Sequence, residues 1–135
     1  MDLLVNIDVP DLARAISFYT RAFDLTVARR FGDSGVELVG ASSKVYLLVK
    51  PAGGAATATG ARRTYERHWT PVHLDFVVDD VDAVVARAVA AGALLEDAAA
   101  DTPWGRIAVL ADPFGHGVCI LSFNSVGYDA IATTR

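Results

Sequence analysis

An internal repeat limits most strongly what this chain can fold into. Residues 3–9 and residues 72–78 both show the alternating apolar pattern of a strand, and each segment is followed by a turn and a helical pattern. The offset between the copies is 69 residues (3 to 72), and it becomes 72 further on, where residues 40–47 correspond to residues 112–119. A repeat of this size predicts two copies of one supersecondary unit.

Each copy is predicted to run from a strand through a helix to three further strands. Apolar residues recur at helical spacing in both helices: Leu12, Ala15, Ile16, Tyr19 and Phe23 in the first, and Val81, Val84, Val85 and Ala88 in the second, before a stop at Gly92. Runs of β-branched and apolar residues predict strands at 26–31, 36–41, 44–50, 94–98, 106–111 and 117–123. We therefore expect an α+β fold in which two βαβββ modules form curved mixed sheets around a cleft, with the helices outside.

The length of 135 residues fits a single domain with this internal division. We place the first module at residues 3–50, a linker at 51–70, the second module at 71–123 and a C-terminal tail at 124–135. The linker is basic and rich in glycine, alanine and threonine. Two interpretations of it stay open, a flap over a binding cavity or a solvated connector.

Composition excludes several classes of protein. Twelve basic residues against sixteen acidic ones give a formal charge of −4, which argues against a nucleic-acid partner. No apolar run reaches the ~18 residues of a membrane span, and the N-terminus lacks the pattern of a signal peptide. The single cysteine forms no internal disulfide. We expect a soluble, cytoplasmic protein.

The first strand of each module indicates where a site would lie. Alternation places Leu3, Val5, Ile7 and Val9 on one face, with Leu4, Asn6 and Asp8 on the other. In the second module, Val72, Leu74, Phe76 and Val78 oppose His73, Asp75 and Val77. Polar side chains in mid-strand are costly unless they meet water, a partner or a ligand. The polar faces are therefore predicted to line the cleft.

The motifs within this plan resemble those of the vicinal oxygen chelate superfamily, which includes glyoxalases, bleomycin-resistance proteins and extradiol dioxygenases. The resemblance spans residues 3–123. It rests on Val9-Pro10-Asp11-Leu12 and Phe18-Tyr19 in the first module, and on His73, Asp79-Asp80-Val81-Asp82 and Asp112-Pro113-Phe114-Gly115 in the second. These motifs are specific for the fold and say little about activity.

The resemblance also implies four positions for ligands of a divalent metal. Carried over, they fall at Leu4, Leu47, His73 and Cys119. The two leucines cannot bind a metal, His73 matches, and Cys119 stands where a glutamate is expected. We expect no full metal site and no other cofactor. Any divalent ion would be held by His73 and Cys119, with Asp75 as a conceivable third ligand of zinc.

The residues expected to contact a small-molecule ligand are Leu4, Asn6, Asp8, Leu47, His73, Asp75, Trp104, Arg106 and Cys119. Any catalysis would rest on His73 as an acid–base residue, with Asp75 beside it. Structural alternatives stay open: Cys119 as a buried apolar residue, Trp104 as a packing residue, and Asn6 and Asp75 as hydrogen-bond partners. Glu37 is a further carboxylate whose face the sequence does not settle.

Three functions are compatible with these observations. The first is a binding protein that holds a small organic molecule in the cleft without the family's full metal site. The alternative is a metal-dependent lyase, isomerase or dioxygenase that uses His73. A third is a dimerisation domain, since exposed sheet edges and the family resemblance both indicate a homodimer.

Overall fold

The computed structural model describes residues 1–134, and the chain divides into two compact units, Met1–Glu66 and a second that begins at Arg67. Each unit has the order strand, helix and three strands. Each also forms one four-stranded mixed sheet with its helix on one face. The predicted α+β fold with two βαβββ modules is confirmed.

The first unit contains β1 (Val5–Val9), α1 (Leu12–Phe23), β2 (Thr26–Arg30), β3 (Gly35–Val39) and β4 (Val45–Val49). Its strands lie in the order β1-β4-β3-β2. Strand β1 is parallel to β4, and the other pairs are antiparallel.

The second unit contains β5 (Leu74–Val77), α2 (Val81–Ala90), β6 (Leu94–Thr102), β7 (Gly105–Ala111) and β8 (Gly117–Phe123). The order β5-β8-β7-β6 repeats that of the first sheet, again with one parallel pair, β5 and β8. A short 3-10 helix, Gly127–Ala130, follows in the predicted tail. No helix within residues 1–134 is long and apolar enough to cross a membrane.

Both α-helices begin where an aspartate caps them. The Asp11 carboxylate accepts a 3.0 Å hydrogen bond from the backbone N–H of Arg14, and Asp80 does the same for Ala83. Such caps satisfy N–H groups that have no partner inside the helix. Each helix then buries an apolar stripe against its own sheet: Ala15, Phe18, Tyr19 and Ala22 in α1, and Val81, Val84 and Ala88 in α2.

The alternation predicted for β1 is confirmed, because Ile7 and Val9 are buried under α1 and Asn6 is exposed. The strands begin later than expected, however, at Val5 and Leu74. Leu3 and Val72, which were placed on the apolar faces, therefore lie outside the strands and are exposed.

The repeat offset of 72 is wrong by one residue for the last strand of each unit. Strand pairing aligns Asn6 with Tyr46 in the first unit and Asp75 with Cys119 in the second. The counterpart of Cys119 is therefore Tyr46, not Leu47. The turn before β8 has one residue more than the turn before β4. A one-residue slip moves a side chain to the opposite face of a sheet.

The predicted linker folds onto both units in turn. A β-bridge joins Ala55 and Arg62, and the Tyr65 hydroxyl donates a 2.7 Å hydrogen bond to the Lys50 carbonyl, so this part belongs to the first unit. Further on, a β-bridge joins His68 to His116 in the second unit.

Candidate functional site

The sheet face opposite the helix, called here the helix-free face, carries most of the predicted site residues. In the second unit, pairing and alternation place Asp75, Val77, Cys119, Leu121 and Val109 on this face. His73 immediately precedes β5 and continues the same face. The face therefore combines an apolar surface with a small polar group.

His73, Asp75 and Cys119 form that polar group. The Nε2 atom of His73 lies 3.2 Å from Oδ1 of Asp75, and the potential ligand atoms of all three residues lie within 4.8 Å of one another. The side chains of His73 and Asp75 are 33% and 39% exposed, whereas Cys119 is only 4% exposed. The group therefore has a buried sulfur at its base and two polar side chains open to solvent.

The environment of Cys119 keeps its thiol protonated near neutral pH. Burial raises its pKa to about 11, because a thiolate loses hydration there, and the charge and hydrogen bond of Asp75 act in the same direction. A thiol with a raised pKa is a poor nucleophile on its own. Its burial and raised pKa therefore argue against Cys119 as a catalytic nucleophile.

The last residues of the linker cover one end of the helix-free face of the second unit. The Trp69 ring lies 4.7 Å from the His73 ring and packs on β8 at Gly117, where any side chain would collide with the indole. Arg67 lies over Trp69 and forms an ion pair with Glu96 of β6. Trp69 therefore extends the site next to His73, and only the lack of a side chain at Gly117 allows this contact.

At the other end of β8, Trp104 belongs to an aromatic cluster. Its ring centroid lies 5.9 Å from that of Phe123 and 5.3 Å from that of Tyr128 in the 3-10 helix. Alternation along β8 puts Phe123 on the same face as Cys119. Trp104 therefore packs against the tail, as its structural alternative proposed, close to one end of the helix-free face.

The helix-free face of the first unit carries Glu37, which is 3% exposed and has three polar partners. Arg29 donates two hydrogen bonds to the carboxylate, of 3.0 and 2.5 Å, and the Tyr46 hydroxyl donates a third of 2.7 Å. Lys44 lies 3.7 Å away. The hydrogen bonds from Arg29 and Tyr46 are the largest causes that lower the pKa of Glu37 to about 2.

Asp8 on the same face is also paired. Oδ2 of Asp8 lies 2.6 Å from Nε of Arg63, a residue of the linker. Asn6 and Leu4 remain exposed on this side of the first unit. Of the four polar residues predicted from the first strands, only His73 and Asp75 lie in one cluster within a single unit.

Two predicted site residues lie on the helix side of their sheets instead. Leu47 pairs with Ile7 and is fully buried beneath α1. Arg106 pairs with Ser122, and its guanidinium contacts Asp82 of α2 at 3.0 Å and Asp101 of β6 at 2.9 Å. Side chains alternate between the two faces of a strand, so residues two apart share a face. Leu47 therefore shares the helix side with buried Val45, and Arg106 shares it with buried Ala108 and Leu110.

The donor set does not fit the family's four-ligand metal shell. With the corrected register, the four positions are Leu4, Tyr46, His73 and Cys119. Leu4 has no donor atom, and the Tyr46 hydroxyl is bonded to Glu37. The second unit keeps His73 and Cys119, and its sheet adds Asp75, which is not one of the four positions.

Comparison with known proteins identifies the family to which this chain belongs. Residues 4–121 match the family model described as a glyoxalase-like domain. The chain therefore belongs to the glyoxalase-like family, within the superfamily that the sequence motifs indicated.

Particular relatives are similar over most of this chain. The uncharacterized protein Mb0911c of Mycobacterium bovis is 35% identical over 120 residues, which cover 80% of this chain and 74% of that protein. The anthracycline biosynthesis protein DnrV of Streptomyces peucetius is 31% identical over 128 residues, 95% of this chain but only 43% of its own length. A glyoxalase/bleomycin resistance protein/dioxygenase family enzyme from Burkholderia phytofirmans PsJN is 24% identical, with a TM-score of 0.70, and the match covers 92% of this chain and 100% of that one.

Sequence reasoning missed Arg29 and Tyr46, and Tyr46 was hidden by the one-residue error in register. Trp69 and Arg63 belong to the linker, for which a flap over the cavity was one of the two open interpretations, and each contacts a polar residue of its own unit's face, His73 and Asp8 respectively. The pairing of Tyr46 with Glu37 across β3 and β4 was a signal available once the register was known.

Proposed function

We propose that the chain binds a small organic molecule on the helix-free face of the second unit, without the family's full metal site. The observation that carries the proposal is the half-exposed pair of His73 and Asp75 above the buried Cys119. In contrast, the carboxylates of Asp8 and Glu37 on the first unit's face are each bound by an arginine.

The surroundings of this pair support the assignment. Val77 is 59% exposed on the same face, and the rings of Trp69 and Phe123 lie towards opposite ends of β8. Small-molecule sites typically combine apolar and aromatic walls with a few polar groups that fix orientation. His73 and Asp75 would be those groups, with the apolar residues supplying most of the contact area.

A metal-dependent lyase, isomerase or dioxygenase that uses His73 remains the second candidate. The 3.2 Å contact between His73 and Asp75 favours it, because a carboxylate beside an imidazole fixes the orientation of the ring. The predicted homodimer stays a prediction under either function.

The test is thermal unfolding in the presence of a compound panel that includes an anthracycline and bleomycin, the compounds that relatives' names mention. A ligand at about 100 times its Kd stabilises the native state by about 2.7 kcal/mol and so raises Tm. The variant Val77→Lys should abolish this rise, because it places a charged side chain on the proposed binding face, two residues from Asp75 along β5.

Val89→Lys is the matched control, since Val89 is also an exposed valine (44%) but lies on α2, away from the helix-free face. This control should keep the ligand-induced rise in Tm. The proposal is wrong if no compound raises Tm, or if Val77→Lys and Val89→Lys respond alike.

A further inference from the structure

The three side chains that form the polar group of the second unit include every type of donor that zinc accepts in proteins. His73 offers an imidazole nitrogen, Asp75 a carboxylate oxygen and Cys119 a thiol sulfur, all within 4.8 Å of one another. The two strands that carry Asp75 and Cys119 are hydrogen-bonded neighbours, and the two residues are paired directly across them. Their proximity is therefore set by the sheet and does not depend on a flexible loop.

We propose that His73, Asp75 and Cys119 form a zinc site with three protein ligands on this single sheet, in which the Cys119 thiol loses its proton to solvent as zinc binds. Zinc is bound in proteins at about 2.0–2.3 Å by these three donor types in tetrahedral geometry. Neighbouring ligand atoms around such an ion are therefore separated by less than about 4 Å. In the structure the three ligand atoms lie within 4.8 Å of one another, close to that spacing.

The nature of the donors selects zinc over magnesium and calcium. Magnesium and calcium prefer oxygen ligands, and a cysteine ligand excludes them on chemical grounds. The set also differs from the family's shell, because Asp75 is an additional ligand and the first unit contributes none. The site is thus a different solution from the four-ligand arrangement that the family resemblance implies.

Charge in the second unit is compatible with a bound cation. From Arg67 onwards the chain has four basic and nine acidic residues, a formal charge of −5. The guanidinium groups of Arg67 and Arg106 form ion pairs with Glu96, Asp82 and Asp101. These cations are therefore directed to carboxylates other than Asp75.

Three protein ligands leave a fourth tetrahedral position for water or for an oxygen of a ligand. This step rests on the proposed function, because it makes the ion one contact of the organic molecule. Zinc binding itself does not depend on that function, so the two can be tested separately.

The experiment measures metal binding by the full-length, untagged protein under reducing conditions, with no organic ligand present. Zinc is titrated calorimetrically, and bound zinc is counted after dialysis. Cobalt(II) serves as a spectroscopic substitute, because a thiolate-to-cobalt charge-transfer band reports a cysteine ligand. Cys119 is the single cysteine of the chain, so the band has one possible origin.

We expect one zinc per chain and a cobalt–thiolate band. The near-isosteric variants Asp75→Asn and Cys119→Ser and the variant His73→Gln should each weaken zinc binding at least tenfold, and Cys119→Ser should lose the band. His116→Gln is the matched control, since His116 lies in the same unit in the turn before β8. This control should bind zinc as the wild type does.

The zinc site is refuted if the wild type binds no stoichiometric zinc, or if the cobalt band is absent or survives in Cys119→Ser. It is also refuted if His116→Gln loses zinc as the other three variants do. Circular dichroism identifies a variant that fails to fold, and the wild-type cobalt spectrum then decides alone. A compound that raises Tm in the presence of EDTA supports the proposed function whether or not zinc binds.

Discussion

The two units share one topology, but their helix-free faces hold their polar side chains in opposite ways. In the first unit, Glu37 is buried under Arg29 and Tyr46, and Asp8 is bound to Arg63. In the second unit, Asp75 contacts His73 and both side chains are more than 30% exposed. The comparison indicates that one copy uses its polar groups for stability, whereas the other leaves them accessible.

The difference arises from residue types at equivalent positions. Strand pairing makes Asn6 equivalent to Asp75 and Tyr46 equivalent to Cys119. Tyr46 is long enough to donate a hydrogen bond to Glu37 on the neighbouring strand, whereas Cys119 is short and faces Val109 there. Val109 offers no side-chain hydrogen-bond partner, so the contact between Tyr46 and Glu37 has no counterpart in the second unit.

The largest expected effect tests the register on which this comparison rests. Leu47→Ala should destabilise the protein by about 2–5 kcal/mol, because Leu47 is fully buried beneath α1 and its truncation leaves a cavity. Leu4→Ala should change stability by less than about 0.5 kcal/mol, since Leu4 is exposed. Chemical denaturation of both variants measures the difference. Equal effects would mean that Leu47 does not lie in the core and that the pairing of Tyr46 with Asn6 is wrong.

Most of the fold could be predicted from the sequence because the signals were local and duplicated. The helical periodicity of Ala15 and Tyr19 and the alternation in β1 each depend on a few neighbouring residues. The register of β4 could not be predicted in the same way. It depends on the length of one turn, and a difference of one residue there reverses the faces of Tyr46 and Leu47.

The positions of the candidate site residues could be predicted only where the strands that carry them could be predicted. His73, Asp75 and Cys119 lie together as expected, because β5 and β8 are regular and directly paired. Arg106 was placed in the cleft by its nearness to Trp104 in sequence, whereas its parity along β7 puts it beside Asp82 of α2. The partners of Glu37 and Asp8 come from distant segments, which a single sequence does not bring together.

The second expected effect contrasts the two carboxylates directly. Glu37→Gln should lower Tm by several degrees at pH 7, because it removes the charge that Arg29, Tyr46 and Lys44 surround. Asp75→Asn should lower Tm less, because Asp75 is solvent-accessible. Thermal unfolding followed by circular dichroism gives both values. A larger loss in Asp75→Asn would reverse the assignment of structural and accessible faces.

The Tm difference between wild type and Glu37→Gln should depend on pH, and the lowered pKa of Glu37 fixes the direction of that dependence. The pKa of Glu37 is lowered from 4.5 to about 2 in the folded protein, chiefly by its hydrogen bonds from Arg29 and Tyr46. A lowered pKa stabilises the folded state above the unfolded value, and this contribution is lost as the pH falls towards the folded value. The Tm difference between wild type and Glu37→Gln should therefore be constant at neutral pH and shrink below about pH 4.5. A difference that grows on acidification would contradict the ion pair.

The smallest expected effect concerns the linker. Asp8→Asn should weaken the contact with Arg63 and cost roughly 1 kcal/mol or less, since the pair is partly accessible to solvent. Local opening should nevertheless increase several-fold, because about 1.4 kcal/mol corresponds to a factor of ten. Limited trypsin digestion measures this as faster cleavage after Arg62 and Arg63.

Asp75→Asn is the matched control for that digestion, since it makes the same chemical change on the other face and should leave the cleavage rate unaltered. The backbone bonds between Gly53 and Arg63 and between Arg63 and Gly54 also hold this segment. If Asp8→Asn leaves cleavage unchanged, these bonds suffice and Asp8 is not needed to fix the linker. The contrast between the two faces would then rest on Glu37 alone.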